Sequence, residues 1–228
     1  MGPAGVPQLA PVAEAASWKS CTKKLDGVKT KVGAKQRTVT IVNQTSRTKA
    51  RVSFWVRKDA KKCSFDRKFL TTKARIGYGG TVKASKRKQS TGTTPRGTFT
   101  MTEAFGIGAK PGMWLPYHRV RAGDYWVMDN ASRHYNTLRN KSQGGFRHRL
   151  PGSDKNGSEY LLDYRKQYRY VVVINFNRPP HAVRYRGAGI FLHVKGDGAT
   201  AGCVGITKKQ MRTVMAYMKP GDKITIHA

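Results

Sequence analysis

Acidic residues are scarce in this chain: 12 Asp and Glu stand against 44 Lys and Arg among 228 residues, a formal net charge of +32. Such an excess attracts polyanions over roughly a Debye length, about 10 Å at moderate salt. Nucleic acid, anionic membrane and anionic wall polymer all meet that description. Cysteine is scarcer still, with three residues, no Cys-x-x-Cys and six dispersed histidines. That pattern argues against a zinc site, so no metal and no cofactor are expected. Long apolar runs are missing as well. No stretch reaches the 18 or so residues of a spanning helix, so no transmembrane segment is expected. Internal repeats and helix-turn-helix or zinc-finger patterns are also absent, and the basic residues scatter from Lys19 to Lys223. Nucleic acid is therefore not the expected partner, and the cationic surface reads as a solvated face suited to a negatively charged wall.

The first 18 residues carry a single charge, Glu14, whereas the chain from Lys19 onward is densely basic. Ala13-Glu14-Ala15 looks like the small-residue end of a secretory signal, without the basic and long apolar regions that precede such an end. Residues 1–18 are read as a tail or signal remnant, followed from residue 19 to 74 by a basic β-rich N-terminal region. In an oxidising compartment Cys21 and Cys63 can pair and leave Cys203 free; in a reducing one all three are thiols. Both arrangements stay open at this point.

Between residues 37 and 58 two stretches, RTVTIVNQT and ARVSFWVRK, alternate apolar and polar positions and predict a β-hairpin. The segment that follows has little periodicity and ends in a loop at about 82–94. GIGAKPG, residues 106–112, mimics a glycine-rich phosphate loop but lacks the strand and helix around it, and reads as a plain loop. The polar stretch from Asn136 to Tyr160 predicts an exposed loop, and YRYVVVINFN, residues 168–177, a central strand. Thr207 and Gln210 form a capping box ahead of an apolar stripe of Met211, Val214, Met215 and Met218. One helix of about three turns follows, then a last strand, KITIHA. The pattern predicts a mostly β, sandwich-like fold with one clear helix after Cys203.

The chemistry concentrates in GIFLHVKGDGATAGCVGI, residues 189–206. His193 ends an apolar strand, and Cys203 follows a loop of small residues. A thiol attacks acyl carbon as thiolate, which an imidazole, a positive field or exposed N–H groups favour. Gly202 lets the backbone direct its own N–H and that of Cys203 toward an oxyanion. By spacing alone, a small buried thiol beside a strand-end histidine fits equally well.

Three stretches carry a family resemblance. TTPRGTF (93–99) looks like a Thr-Pro-x-Gly-x-Phe motif, GDYWVMDNASRHYN (123–136) resembles the aromatic and Asp/Tyr-Asn segment of a shorter secreted branch, and IFLHV with TAGCVGI resembles a catalytic signature. Together, over residues 75–228, they resemble the L,D-transpeptidase catalytic domain family, the YkuD-type enzymes that cross-link peptidoglycan. The resemblance implies that Cys203 is the nucleophile and His193 its base. It also implies substrate contacts at Tyr117, Trp126, Asp129, Tyr135, Asn136 and Thr200, and acylation of the cysteine by carbapenems. The commoner signature has Ser/Thr-His-Gly-Cys, whereas this chain has Thr200-Ala201-Gly202-Cys203. Val194 offers no polar side chain to orient the imidazole, which leaves a backbone carbonyl or Asp197 to fix its tautomer.

The expected function is a secreted, monomeric peptidoglycan L,D-transpeptidase of the cell wall that forms 3→3 cross-links on stem peptides, with anionic wall polymers as further partners. An L,D-carboxypeptidase using the same site, and a non-enzymatic cationic wall- or polyanion-binding protein, are the alternatives.

Overall fold

The computed structural model describes residues 19–59 and 61–228. The expected tail at 1–18 lies outside the described residues. β1 (Cys21–Leu25) and β2 (Val28–Val32) form a hairpin turned at Asp26 and Gly27, both at positive φ. β3 (Thr38–Ser46) and β4 (Lys49–Arg57) are the hairpin predicted from alternation, and β5 (Phe65–Arg75) pairs antiparallel with β4. There follow β6 (Thr81–Lys83), β7 (Thr94–Met101), β8 (Ala104–Gly106), β9 (Tyr117–Arg119), β10 (Asp124–Trp126), β11 (Leu138–Asn140) and β12 (Glu159–Tyr160). β13 (Val171–Val173), β14 (Phe191–Val194), β15 (Val204–Ile206), α1 (Lys208–Tyr217) and β16 (Asp222–His227) complete the chain. The fold is mostly β, and α1 is the single α-helix among the described residues, separated from Cys203 by β15. No helix among them is long and apolar enough to cross a membrane.

Eleven strands make one sheet in the order β6-β7-β16-β3-β4-β5-β15-β14-β13-β8-β9, and β10 stands between β11 and β12 in a second, three-stranded sheet. The main sheet takes in residues on both sides of position 75, the start of the stretch that carries the resemblance, because β5 pairs with β15 through Arg75 and Gly205. β3 alternates apolar and polar residues, yet Thr38–Val42 is buried on both faces. Val39 and Ile41 pack with Leu25 and Val32 of the N-terminal hairpin, while Val42 joins the main core. Cys21 and Cys63 are joined by a disulfide that ties this hairpin to the approach of β5.

Around β13–β15 the sheet divides two cores. On one face Val172, Leu192, Val194, Val204 and Ile206 meet Met211, Val214, Met215 and Met218. Each such fully buried side chain contributes about 1.5–3 kcal/mol of apolar burial. The other face carries Val171, Val173, Phe191 and Cys203 against Phe105, Trp126 and Tyr168. The capping box is present, with Gln210 N–H donating to Thr207 Oγ1 at 3.3 Å and Thr207 N–H to Gln210 Oε1 at 2.9 Å.

Three expectations are corrected. β5 runs eleven residues where little periodicity was visible, because register shifts opposite Ala50/Val52 and Phe54/Trp55 interrupt its alternation. The stretch from 136 to 160 is not one exposed loop: β11 and β12 lie within it and pair with β10. The strand expected at 168–177 is ordered as β13 only over Val171–Val173, since Gln167–Arg169 forms a 3-10 turn.

Candidate active site

β14 and β15 are parallel neighbours, with Leu192 opposite Val204 and His193 opposite Gly205. Side chains alternate along strands, so Phe191, His193 and Cys203, the residue just before β15, share one face. The topology thereby sets a histidine and a cysteine on a diagonal of one ladder. A cavity of about 550 Å³ opens over that face and is lined by both residues, together with Arg87, Glu159, Tyr164 and Tyr168 among others.

Cys203 is 7 % exposed. Its Sγ donates to the Gly189 carbonyl and accepts the Phe191 N–H, each at 3.3 Å. Burial pushes the thiol up to about 12, and the nearby Glu159 carboxyl adds to the rise; the Phe191 N–H and Arg87 oppose it. His193 is 5 % exposed, and desolvation lowers its imidazole to about 4. Its Nδ1 donates to the Val194 carbonyl at 2.8 Å, an assignment forced because a carbonyl can only accept. Nε2 is then the free acceptor. The carbonyl, not Asp197, fixes the tautomer, since Asp197 is exposed and pairs with Lys166 at 3.3 Å. No hydrogen bond joins His193 to Cys203. The resting pair is a neutral thiol and a neutral imidazole, because the low-dielectric floor of the cavity penalises either ion.

Tyr168 packs its ring edge against His193, with centroids 5.7 Å apart, and its hydroxyl donates to Glu159 Oε1. Burial pushes the Glu159 carboxyl up to about 7, with Tyr168 countering.

Gly202 adopts φ +133°, and a Cβ there would sit 2.9 Å from both Arg87 Nη2 and the Thr93 carbonyl, so only glycine fits. Its N–H, expected to face an oxyanion, donates to Thr200 Oγ1 at 3.2 Å. Thr200 Oγ1 in turn donates to the Cys203 carbonyl at 2.6 Å, and the Thr200 backbone bonds Ile76 and Tyr78. Thr200 therefore borders the cavity while its hydroxyl holds the turn that carries the cysteine.

The other residues expected at a substrate groove do not line this cavity. The Tyr117 hydroxyl donates to the Gly108 carbonyl at 2.8 Å, and burial pushes it up to about 12. Trp126 is a core side chain stacked on Phe105. Asp129 is buried and holds Arg147, with contacts of 2.5 and 3.0 Å. The Tyr135 hydroxyl donates to Gln89 Oε1 at 2.8 Å and accepts the Gly187 N–H at 3.1 Å. Asn136, at φ +61°, is the hub of this layer. Its Oδ1 accepts from Trp126 Nε1 at 2.8 Å and from Gly189 N at 2.9 Å, while Nδ2 donates to the carbonyls of Phe176 and Asn177. Because the Gly189 carbonyl receives the Cys203 thiol, Asn136 acts on the site through the backbone at 189. The aromatic segment thus builds the wall behind the site.

Arg87, Glu159, Tyr164 and Tyr168 were not picked out from the sequence. The available signal was an acidic residue in a chain this basic, Glu159, followed by tyrosines at helical spacing.

A mostly β domain whose cavity joins a cysteine and a histidine on adjacent parallel strands is the frame of a thiol-bearing site. The family model of the L,D-transpeptidase catalytic domain (YkuD) matches residues 38–226, and the chain belongs to that family. Solved structures to which the chain is similar include L,D-transpeptidase 1 of Mycobacterium tuberculosis, at 13 % identity, 88 % of this chain, 67 % of that chain and a TM-score of 0.38. The L,D-transpeptidase of Mycobacterium smegmatis gives 16 %, 93 %, 68 % and 0.39. That of Stackebrandtia nassauensis gives 15 %, 86 %, 57 % and 0.36, so this chain spans less than two thirds of it. No curated protein matches the chain.

Proposed function

We propose that the protein is a cysteine-dependent L,D-transpeptidase that forms 3→3 cross-links between peptidoglycan stems through a thioester on Cys203. The observation that carries this reading is the meeting of Cys203 and His193 on one face of a ladder, at the floor of a single cavity. Sγ attacks the carbonyl at the L-centre of the diamino acid in a tetrapeptide stem. His193 Nε2 takes the thiol proton as the S–C bond forms, so neither ion has to persist in the buried site. The Cys203 N–H, with the Gly202 N–H once released from Thr200, holds the oxyanion. The C–N bond breaks, His193 passes the proton to the departing nitrogen, and D-alanine leaves. The side-chain amine of a second stem then attacks the thioester, and Cys203 recovers its proton. No cofactor enters the scheme.

The Cys21–Cys63 disulfide and the net charge of +32 support action outside the cell, at an anionic wall. Incubation with a disaccharide-tetrapeptide, read by mass spectrometry, tests the proposal. Released D-alanine, a thioester on Cys203 and a 3→3 dimer are expected. Tripeptide alone would assign an L,D-carboxypeptidase, and no turnover would return the chain to a wall-binding role.

A further inference from the structure

Arg87 is 5 % exposed, yet it borders the cavity. Two of its nitrogens are anchored: Nε donates to the Thr93 carbonyl at 2.7 Å and Nη1 to the Arg186 carbonyl at 3.0 Å. The Phe176 ring covers the guanidinium at 5.5 Å. Glycines clear its path, since a Cβ on Gly187 would lie 1.5 Å from Nη1. Nη2 has no hydrogen-bond partner among the described residues, and it lies 2.9 Å from the point where a Gly202 side chain would begin, beside the backbone of Cys203. The carboxylates that line the cavity are engaged elsewhere, Glu159 with Tyr168, Asp197 with Lys166 and Asp154 with the Asn156 N–H.

A buried cation held at two nitrogens, with the third unpaired on a residue that borders a cavity, is charge awaiting an anion. Guanidinium recognises carboxylate through charge-assisted hydrogen bonds. The charge also reaches the nucleophile, since Arg87 lowers the Cys203 thiol against the effect of burial.

We infer that Arg87 Nη2 receives the free α-carboxylate of the residue that leaves, so that the site selects stems ending one residue beyond the scissile carbonyl. This rests on the reading of Cys203 as the acylated nucleophile. The leaving residue bears its carboxylate on the same carbon as the departing nitrogen, within a few ångströms of the tetrahedral centre. As the S–C bond forms and the C–N bond breaks, the nitrogen takes the thiol proton by way of His193. The amino acid is then released with its carboxylate still on Arg87. A longer stem, whose next group is an amide, offers no anion there.

The test uses the full chain and two tetrapeptide donors that differ only in a C-terminal free acid or primary amide. Release of D-alanine or D-alaninamide and the intact mass at Cys203 are followed. The wild type is expected to prefer the acid about 10- to 100-fold in kcat/KM, chiefly through KM. Arg87→Met is expected to lose that preference by slowing the acid donor far more than the amide, and Arg87→Lys, which keeps charge without the planar fork, to retain part of it. If Arg87→Met fails to fold, the two donors on the wild type still decide. Equal use of acid and amide by the wild type overturns the inference, as does an Arg87→Met variant that slows both donors alike, which would assign Nη2 to the oxyanion. Acylation by neither donor overturns the reading of Cys203 itself, and the inference with it.

Discussion

At the scale of single residues, burial governs the chemistry. The Cys203 thiol pushed up to about 12 and the His193 imidazole lowered to about 4 leave both groups neutral at pH 7. The sign follows directly: thiolate forms only as pH climbs toward the raised value. Alkylation of Cys203 by iodoacetamide is expected to rise through pH 9 and 10 without a plateau near 8, and His193→Asn to leave that profile in place while abolishing donor acylation. A plateau near pH 7 would mean a standing ion pair. Asn136 makes a second prediction. Removing its amide strands Trp126 Nε1 and the Gly189 N–H, so Asn136→Ala should cost on the order of 3 kcal/mol in denaturant unfolding and slow acylation, because Gly189 also holds the thiol. Unchanged stability would remove Asn136 from its place as the hub. Cys203, His193 and the glycine before the cysteine were legible in the sequence because their residue types and spacing carry the chemistry directly. Arg87 was not, since one arginine among 44 Lys and Arg shows its burial only once the chain is folded.

At the scale of elements, local rules were readable where one element meets one environment. α1 was visible from its capping box and its methionine stripe, and both are in place. Thr207→Ala is expected to lower stability by about 1 kcal/mol, measured as a shift in unfolding midpoint at constant slope, with donor turnover preserved. A shift near zero would show that packing alone sets the start of the helix. The β3–β4 hairpin was visible for the same reason. β5 was hidden because bulged pairing with β4 breaks the period of two. β11 and β12 were hidden because three- and two-residue strands carry too few positions to show a period. The aromatic segment around β10 was noticed for its composition, yet composition cannot distinguish the lining of a cavity from the wall behind it. Trp126 and Tyr135 belong to that wall.

At the scale of the whole molecule, long-range pairing assembles the site. β5 closes on β15, which lies parallel to β14, and the three strands bring residues 75, 193 and 203 together. The disulfide fastens the N-terminal hairpin to the same sheet across 42 residues of sequence. Replacing Cys21 and Cys63 by Ala is expected to cost about 2–4 kcal/mol while leaving the Cys203 chemistry intact, as compared by unfolding under non-reducing conditions. Loss of acylation in that variant would tie the hairpin to the active face. The central claim, that Cys203 is an acylable nucleophile, is tested most directly by intact mass after incubation with a carbapenem. One covalent adduct is expected on the wild type and none on Cys203→Ala; an unmodified wild type, or an adduct that survives Cys203→Ala, would remove Cys203 from that role.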